Sequence, residues 1–221
     1  QINVEFEIEE IYHLAAILST KAEQSPKIAH DINVNGTINL LELAVNQSVS
    51  NDQIIKFFFP SSIAVYGVHD KEIKTENESL FPCTMYGCNK LYIEKLGVYY
   101  SKYYEQLSKN RACIDFRSIR FPGLISASTI PMGGTSDFIP EMWHLLKNEN
   151  QYQSFVNENT RIPFLAMPDA VYAIKKLMNV DMNKISSRIY NVTSFNPSVR
   201  EFFDILNSYF KNKTLSFNID E

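Results

Sequence analysis

The stretch Ile54-Ile55-Lys56-Phe57-Phe58-Phe59-Pro60-Ser61-Ser62 decides the fold. An apolar run closed by a proline reads as a strand covered on both faces, the pattern of a central strand in a parallel sheet. Upstream, residues 10–16 (Glu-Ile-Tyr-His-Leu-Ala-Ala) read as a second buried strand ending in small residues. Between the two, Ile28, Ile32, Leu40, Leu41 and Ala44 recur at helical spacing over 26–44, with Asn33, Asn35 and Gly36 as weak points. Downstream, a strong helix is predicted over 84–107, carried by Met85, Leu91, Ile93, Leu96 and the Tyr99/Tyr100 pair. A strand over 113–119 follows and ends at Phe121-Pro122-Gly123. Helices are expected at 137–146, opened by Asp137, at 168–178, and at 197–210, capped before Pro197, with a strand at 187–192.

Strands alternating with helices predict an α/β protein: a Rossmann-like parallel sheet with helices on both faces and right-handed crossovers. Residues 122–187 are richer in turns, Gly and Pro and read as a small substrate lobe. The expected division is therefore a core over 1–121, that lobe over 122–187, and a return to the core over 188–221.

Composition narrows the function classes. The chain has 221 residues, 45% of them hydrophobic and 21% charged, which fits a globular domain and excludes a disordered effector. The net charge is -4, and like charges form no long block, so the electrostatic stripe of a nucleic-acid binder is missing. Three cysteines, Cys83, Cys88 and Cys113, give neither a disulfide scaffold nor a thiolate metal site, and no metal is expected. Cys83 and Cys88 flank Tyr86 and read as packing or incidental thiols. No apolar run reaches the roughly 20 residues of a membrane span, and no basic leader opens the chain.

Tyr86 and Lys90 lie four residues apart, so on a helix they share one face with about 6 Å of rise between them. A neighbouring ammonium favours phenolate over phenol, and a phenolate within reach of a hydroxyl is a general base. Tyr-x-x-x-Lys alone is a weak signal in a chain with 12 tyrosines. Its context strengthens it: Ser61 and Ser62 follow the central strand directly, where open α/β sheets place their ligands. Leu14-Ala15-Ala16 would let a flat cofactor lie close to the backbone, or equally pack a helix on the sheet. Gly133-Gly134-Thr135-Ser136-Asp137 offers backbone donors, hydroxyls and a carboxylate, or a plain helix-capping turn. The Tyr99, Tyr100, Tyr103 and Tyr104 cluster reads as core or as a face for pairing two copies.

Several segments together resemble the extended short-chain dehydrogenase/reductases, the NAD-dependent epimerase/dehydratase family. They are Tyr12-His13-Leu14-Ala15-Ala16, Asn33/Asn35-Gly36-Thr37, Pro60-Ser61-Ser62-Ile63-Ala64-Val65-Tyr66-Gly67, Tyr86-Gly87-Cys88-Asn89-Lys90 and Arg120-Phe121-Pro122-Gly123. Further segments are similar to the short-chain type of L-threonine dehydrogenase: Leu18-Ser19, Gly134-Thr135-Ser136-Asp137-Phe138, Leu165-Ala166-Met167-Pro168-Asp169-Ala170 and Tyr190-Asn191-Val192-Thr193. The resemblance implies oxidation of the L-threonine hydroxyl to 2-amino-3-oxobutanoate with NAD as cofactor. It implies Tyr86 as base, Lys90 tuning it and holding the nicotinamide ribose, and Ser62 on the reacting oxygen. Ser19, Ser61, Gly134, Thr135 and Asp137 match substrate-binding positions. Leu14, Ala15, Ala16, Asn33, Ser61, Tyr86, Lys90, Phe121 and Pro122 match cofactor-binding ones. A homodimer through the Tyr86-bearing helix is implied, with an amino acid as the small-molecule partner and neither nucleic acid nor membrane.

Such enzymes begin with a strand, a glycine-rich turn and a helix, and no glycine precedes Glu10 here. The N-terminal βαβ unit and some C-terminal residues are expected to lie outside this chain. The segment that chooses NAD over NADP is among them. A cytoplasmic location follows for a bacterial source, and a mitochondrial one is open for a eukaryotic source. Two other functions compete: a sugar-nucleotide epimerase or dehydratase, and a truncated homologue with little or no activity.

Overall fold

The computed structural model describes residues 6–68, 74–105, 107, 113–131, 134 and 136–219. In chain order these form β1 (Glu10–Tyr12), α1 (Ser19–Gln24), α2 (Pro26–His30), a π-helical turn (Asp31–Asn35), α3 (Gly36–Asn51), β2 (Ile55–Ser62) and a 3-10 turn (Ile63–Tyr66). There follow α4 (Met85–Lys102), β3 (Ile114–Phe121), β4 (Gly123–Ile125), α5 (Phe138–Asn148), β5 (Gln151–Ser154), β6 (Phe164–Ala166) and α6 (Met167–Asn179). A 3-10 turn (Met182–Lys184), β7 (Ile189–Asn191), α7 (Val199–Phe210) and β8 (Thr214–Phe217) complete the described chain.

Two compact units emerge, one of residues 1–121 with 173–191, the other of 122–172 with 192–221. The first is an α/β unit with a Rossmann-like parallel sheet in the order β1-β2-β3-β7, flanked by helices. Strand β2 pairs along its whole length with β3, from Ile55 opposite Ile114 to Ser62 opposite Phe121. Because side chains alternate along a strand, Phe57 and Phe59 share a face, and both pack with Phe116, Val34, Leu41 and Ile93. The Phe57 and Phe59 rings stack on Phe116 at 6.1 and 6.2 Å. Phe58 is buried as well. Each such phenylalanine contributes about 1.5–3 kcal/mol over an exposed one.

Two glycines let α4 lie close. A Cβ on Gly97 would fall 2.2 Å from the Phe116 ring, and one on Gly87 would fall 2.5 Å from the Ala64 carbonyl oxygen. The helix thus reaches both the middle of β3 and the turn that follows β2.

The second unit holds two two-stranded parallel sheets, β4 with β6 and β5 with β8. Its core joins Phe138, Ile139, Met142 and Leu146 of α5 to Val199, Phe203 and Leu206 of α7, around Phe164. Helix α7 starts at Val199 with Ser198 as its cap, two residues later than the expected start at Pro197. The Ser198 hydroxyl accepts from Glu201 N, and Ser198 N donates to the Glu201 carboxylate, a reciprocal cap.

Three expectations change in detail, and four short strands join them unannounced. The first strand stops at Tyr12, which leaves Leu14 and Ala15 outside it and exposed. The central strand runs two residues past Pro60 and takes in both serines. The helix expected over 26–44 continues to Asn51, with its asparagine-rich stretch accommodated as a π-helical turn rather than a break. The strands β4, β5, β6 and β8, at three or four residues each, are too short to leave a period in the sequence.

Candidate active site

Helix α4 is capped by Thr84, whose hydroxyl accepts from Gly87 N at 3.0 Å. This cap and the close approach at Gly87 seat the first turn of α4 on the turn after β2. Lys90 follows one turn later and is buried. Its ammonium donates to the Pro60 carbonyl at 2.6 Å and lies 4.4 Å from the Phe59 ring centroid and 5.3 Å from that of Tyr86. The structure therefore brings Tyr86 and Lys90 together, at a carbonyl two residues before Ser62. Ser62 is half-buried and accepts from Ala64 N at 3.2 Å, which leaves its own proton to donate. The Tyr86 hydroxyl, also on a half-buried residue, has no hydrogen-bond partner among the described residues.

Burial sets the protonation of this pair. It pushes the Tyr86 phenol up to about 12. It pushes the Lys90 ammonium down to about 7, with Glu94 pulling the other way. The phenol is raised rather than lowered, because desolvation disfavours charge on both partners. Burial thus disfavours the charged form of Lys90, and the cationic form is the one that favours a phenolate.

The two serines part company. They occupy successive positions of β2 and so face opposite sides. Ser61 is buried and donates to Glu94 Oε1 at 2.6 Å. Glu94, fully buried, receives both Arg120 Nε and Arg120 Nη2 at 2.8 Å. Arg120 Nη1 donates to the Tyr66 hydroxyl at 2.8 Å, and that hydroxyl lies 2.9 Å from Asn191 Oδ1. Glu94 escaped the sequence reading, although it stands one turn after Lys90 and two after Tyr86 on the same helical face.

On the cofactor side, Leu14 and Ala15 are exposed and Ala16 half-buried, just beyond the carboxyl end of β1. Asn33, buried in the π-helical turn, fastens this loop: its Oδ1 accepts from Ile17 N at 2.7 Å and its Nδ2 donates to Ile17 O at 3.0 Å. The same amide group reaches Asn89 of α4 at 3.3 Å. Ser19 opens α1 and is half-buried. Phe121 and Pro122 are buried at the end of β3. These features fit a dinucleotide: small open residues at the carboxyl end of a parallel strand, and a lysine that spends one of its three N–H bonds on Pro60.

In the second unit, Gly134 N donates to Asp137 Oδ2 at 2.6 Å and Asp137 N to Gly134 O at 2.9 Å, closing a tight turn. The Asp137 carboxylate makes no cap on α5, contrary to expectation, because it is turned back onto Gly134. Thr135 lies outside the described residues. All three cysteines are exposed free thiols, so of the two readings of Cys83 and Cys88 the incidental one fits. Tyr100 and Tyr104 stack at 4.5 Å, while Tyr92, Tyr99 and Tyr103 stand about half exposed. A cleft of about 460 Å³ in the first unit is lined by Glu76, Leu91, Lys95, Arg120 and Ile189 but by none of Tyr86, Lys90 and Ser62. Among the described residues, no cluster of ligating side chains could hold a metal ion, and no helix is long and apolar enough to cross a membrane.

A family model described as "NAD dependent epimerase/dehydratase family" matches residues 2–193. An uncharacterised epimerase/dehydratase of Staphylococcus aureus strain USA300 is 37% identical over 98% of this chain and 64% of its own length. The chain thus spans less than two thirds of the curated relatives it matches. A solved monomeric L-threonine 3-dehydrogenase from a metagenome is 36% identical, with a TM-score of 0.83, covering 99% of this chain and 67% of that one. The L-threonine dehydrogenase of Clostridium difficile is 35% identical, with a TM-score of 0.84, covering 99% and 65%.

Proposed function

The chain belongs to the NAD-dependent epimerase/dehydratase family, and from that premise we propose that it oxidises the side-chain hydroxyl of L-threonine to 2-amino-3-oxobutanoate. The observation that carries the chemistry is the buried ammonium of Lys90 set against Tyr86 at the tip of β2. Threonine is favoured by the likeness, at 30% identity or more, to solved proteins named as L-threonine dehydrogenases.

NAD, the cofactor of the family, supplies the hydride acceptor when bound. Leu14, Ala15, Ala16, Asn33, Phe121 and Pro122 would line it, and the remaining N–H bonds of Lys90 would reach its ribose hydroxyls. Tyr86 Oη takes the hydroxyl proton of the substrate. Protonated Lys90 stabilises the phenolate that does so, and Ser62 donates to the reacting oxygen. By resemblance, Ser19, Gly134, Thr135 and Asp137 match the positions that hold the amino-acid substrate in such enzymes. Two copies pair through the exposed tyrosines of α4.

The test is NAD reduction by the intact natural protein with L-threonine. Tyr86→Phe should lower kcat by about 10²–10⁴-fold, the range for a lost general base, with NAD binding retained. Turnover of a sugar nucleotide and none of L-threonine would replace this reading with the second one, which the epimerase/dehydratase name of the staphylococcal relatives favours.

A further inference from the structure

Ser61 matches a ligand-binding position by resemblance, yet its hydroxyl is committed inward. It is buried and gives its proton to a carboxylate on another element. Glu94 in turn sits on α4, on the face that carries Tyr86 and Lys90, and both its oxygens are held by Arg120 from β3. Arg120 also reaches the Tyr66 hydroxyl at the end of the turn after β2. Three elements therefore meet at one carboxylate, the tip of β2, β3 and α4 itself, and the turn behind β2 joins them through Arg120. Ser61 lies between two residues that the chemistry needs fixed, since the Pro60 carbonyl holds Lys90 at 2.6 Å and Ser62 is the proposed donor to the reacting oxygen.

We propose that Glu94, held by Arg120, is a positioning residue that clamps the Pro60-Ser61-Ser62 tip of β2 onto α4 through the Ser61 hydroxyl, and so sets Ser62 and the Lys90 anchor relative to Tyr86. This rests on the reading of Tyr86, Lys90 and Ser62 given above. The clamp acts without touching substrate. A free serine tip would let Ser62 and the Pro60 carbonyl drift by fractions of an ångström, and misplacement of about 1 Å costs roughly 10²-fold in rate. The charge pair suits this task because a carboxylate accepting from a guanidinium and a hydroxyl has its direction fixed by several bonds at once.

Direct removal of Glu94 strands Arg120 in the interior and risks unfolding, so Ser61 carries the test. In the intact natural protein, Ser61→Ala should lower kcat about 10–100-fold, leave KM for L-threonine within about twofold, and keep the thermal midpoint near that of the parent. Ser61→Thr, which keeps the hydroxyl, should restore most of the rate. In parallel, amide hydrogen exchange at Ser62, Ile63 and Ala64 should quicken in Ser61→Ala and return in Ser61→Thr. Unchanged kcat in Ser61→Ala, or unchanged exchange at those amides, overturns the clamp. If the parent protein does not oxidise L-threonine, the threonine reading fails by itself, while the exchange comparison still decides the clamp.

Discussion

The first unit buries two of its ion pairs, Arg120 with Glu94 at 3% and 0% side-chain exposure and Arg117 with Asp115 at 1% each, while Lys56 with Glu10 stays near the surface. The described ion pairs of the second unit stay at the surface, Arg161 with Glu201 at 46% and 52% and Arg200 with Glu158 at 42% and 45%. The second unit is held by apolar packing of α5 against α7 and needs no interior charge to define it. In the first unit, Asp115 accepts from both Arg117 and Arg188, and Arg117 Nη1 also donates to the carbonyls of Leu177 and Met178 near the end of α6. Burying such groups costs several kcal/mol per ion before pairing restores it. What it returns is direction: an apolar core tolerates small slips, whereas a bidentate pair does not. The unit that bears Tyr86, Lys90 and Ser62 is the one with fixed directions.

This contrast can be broken most directly at Arg120. Arg120→Leu leaves the Glu94 carboxylate buried without its partner and should cost about 3–5 kcal/mol in urea unfolding. Adding Glu94→Leu should recover most of that loss. A single variant as stable as the parent would show that the buried pair carries no tension.

Lys90 sharpens the contrast through pH. Its folded value of about 7 lies below the ordinary 10.5, so between those limits the unfolded chain binds more protons than the folded one. Stability from this group therefore rises with pH through that window, by up to about 1.4 kcal/mol per unit, and is flat below it. Unfolding measured at pH 7, 8 and 9 should show Lys90→Met losing that rise relative to the parent. Parallel pH curves for the two proteins would refute the depressed ammonium.

The smallest effect belongs to the second unit. Arg161→Ala removes an exposed partner of Glu201 and should leave the urea midpoint almost where it was. A loss as large as that of Arg120→Leu would erase the distinction between the units.

Much of this was legible because it depends on neighbours in the chain. The run Ile55–Phe59 marks a central strand by its composition, and Tyr86 with Lys90 fall on one face by helical geometry alone. Glu94 was readable by the same spacing, but a glutamate on a long helix is ordinarily solvated, so nothing local marked it as interior. The fate of Asp137 was hidden for a related reason: a carboxylate ahead of a helix serves equally as a cap or as the closure of its own turn, and the backbone conformation at Asp137 selects the second.

The sequence alone determined the alternation of strands and helices, the place of the phenylalanine-rich strand at the centre, and the pairing of tyrosine with lysine. Each of these follows from backbone periods of a few residues. Only the tertiary structure decided which serine faces inward, because Ser61 meets Glu94 from 33 residues away and Arg120 meets Tyr66 across 54. It also decided the direction in which Tyr86 and Lys90 titrate, since desolvation is imposed by everything packed around a group rather than by its neighbours in the chain.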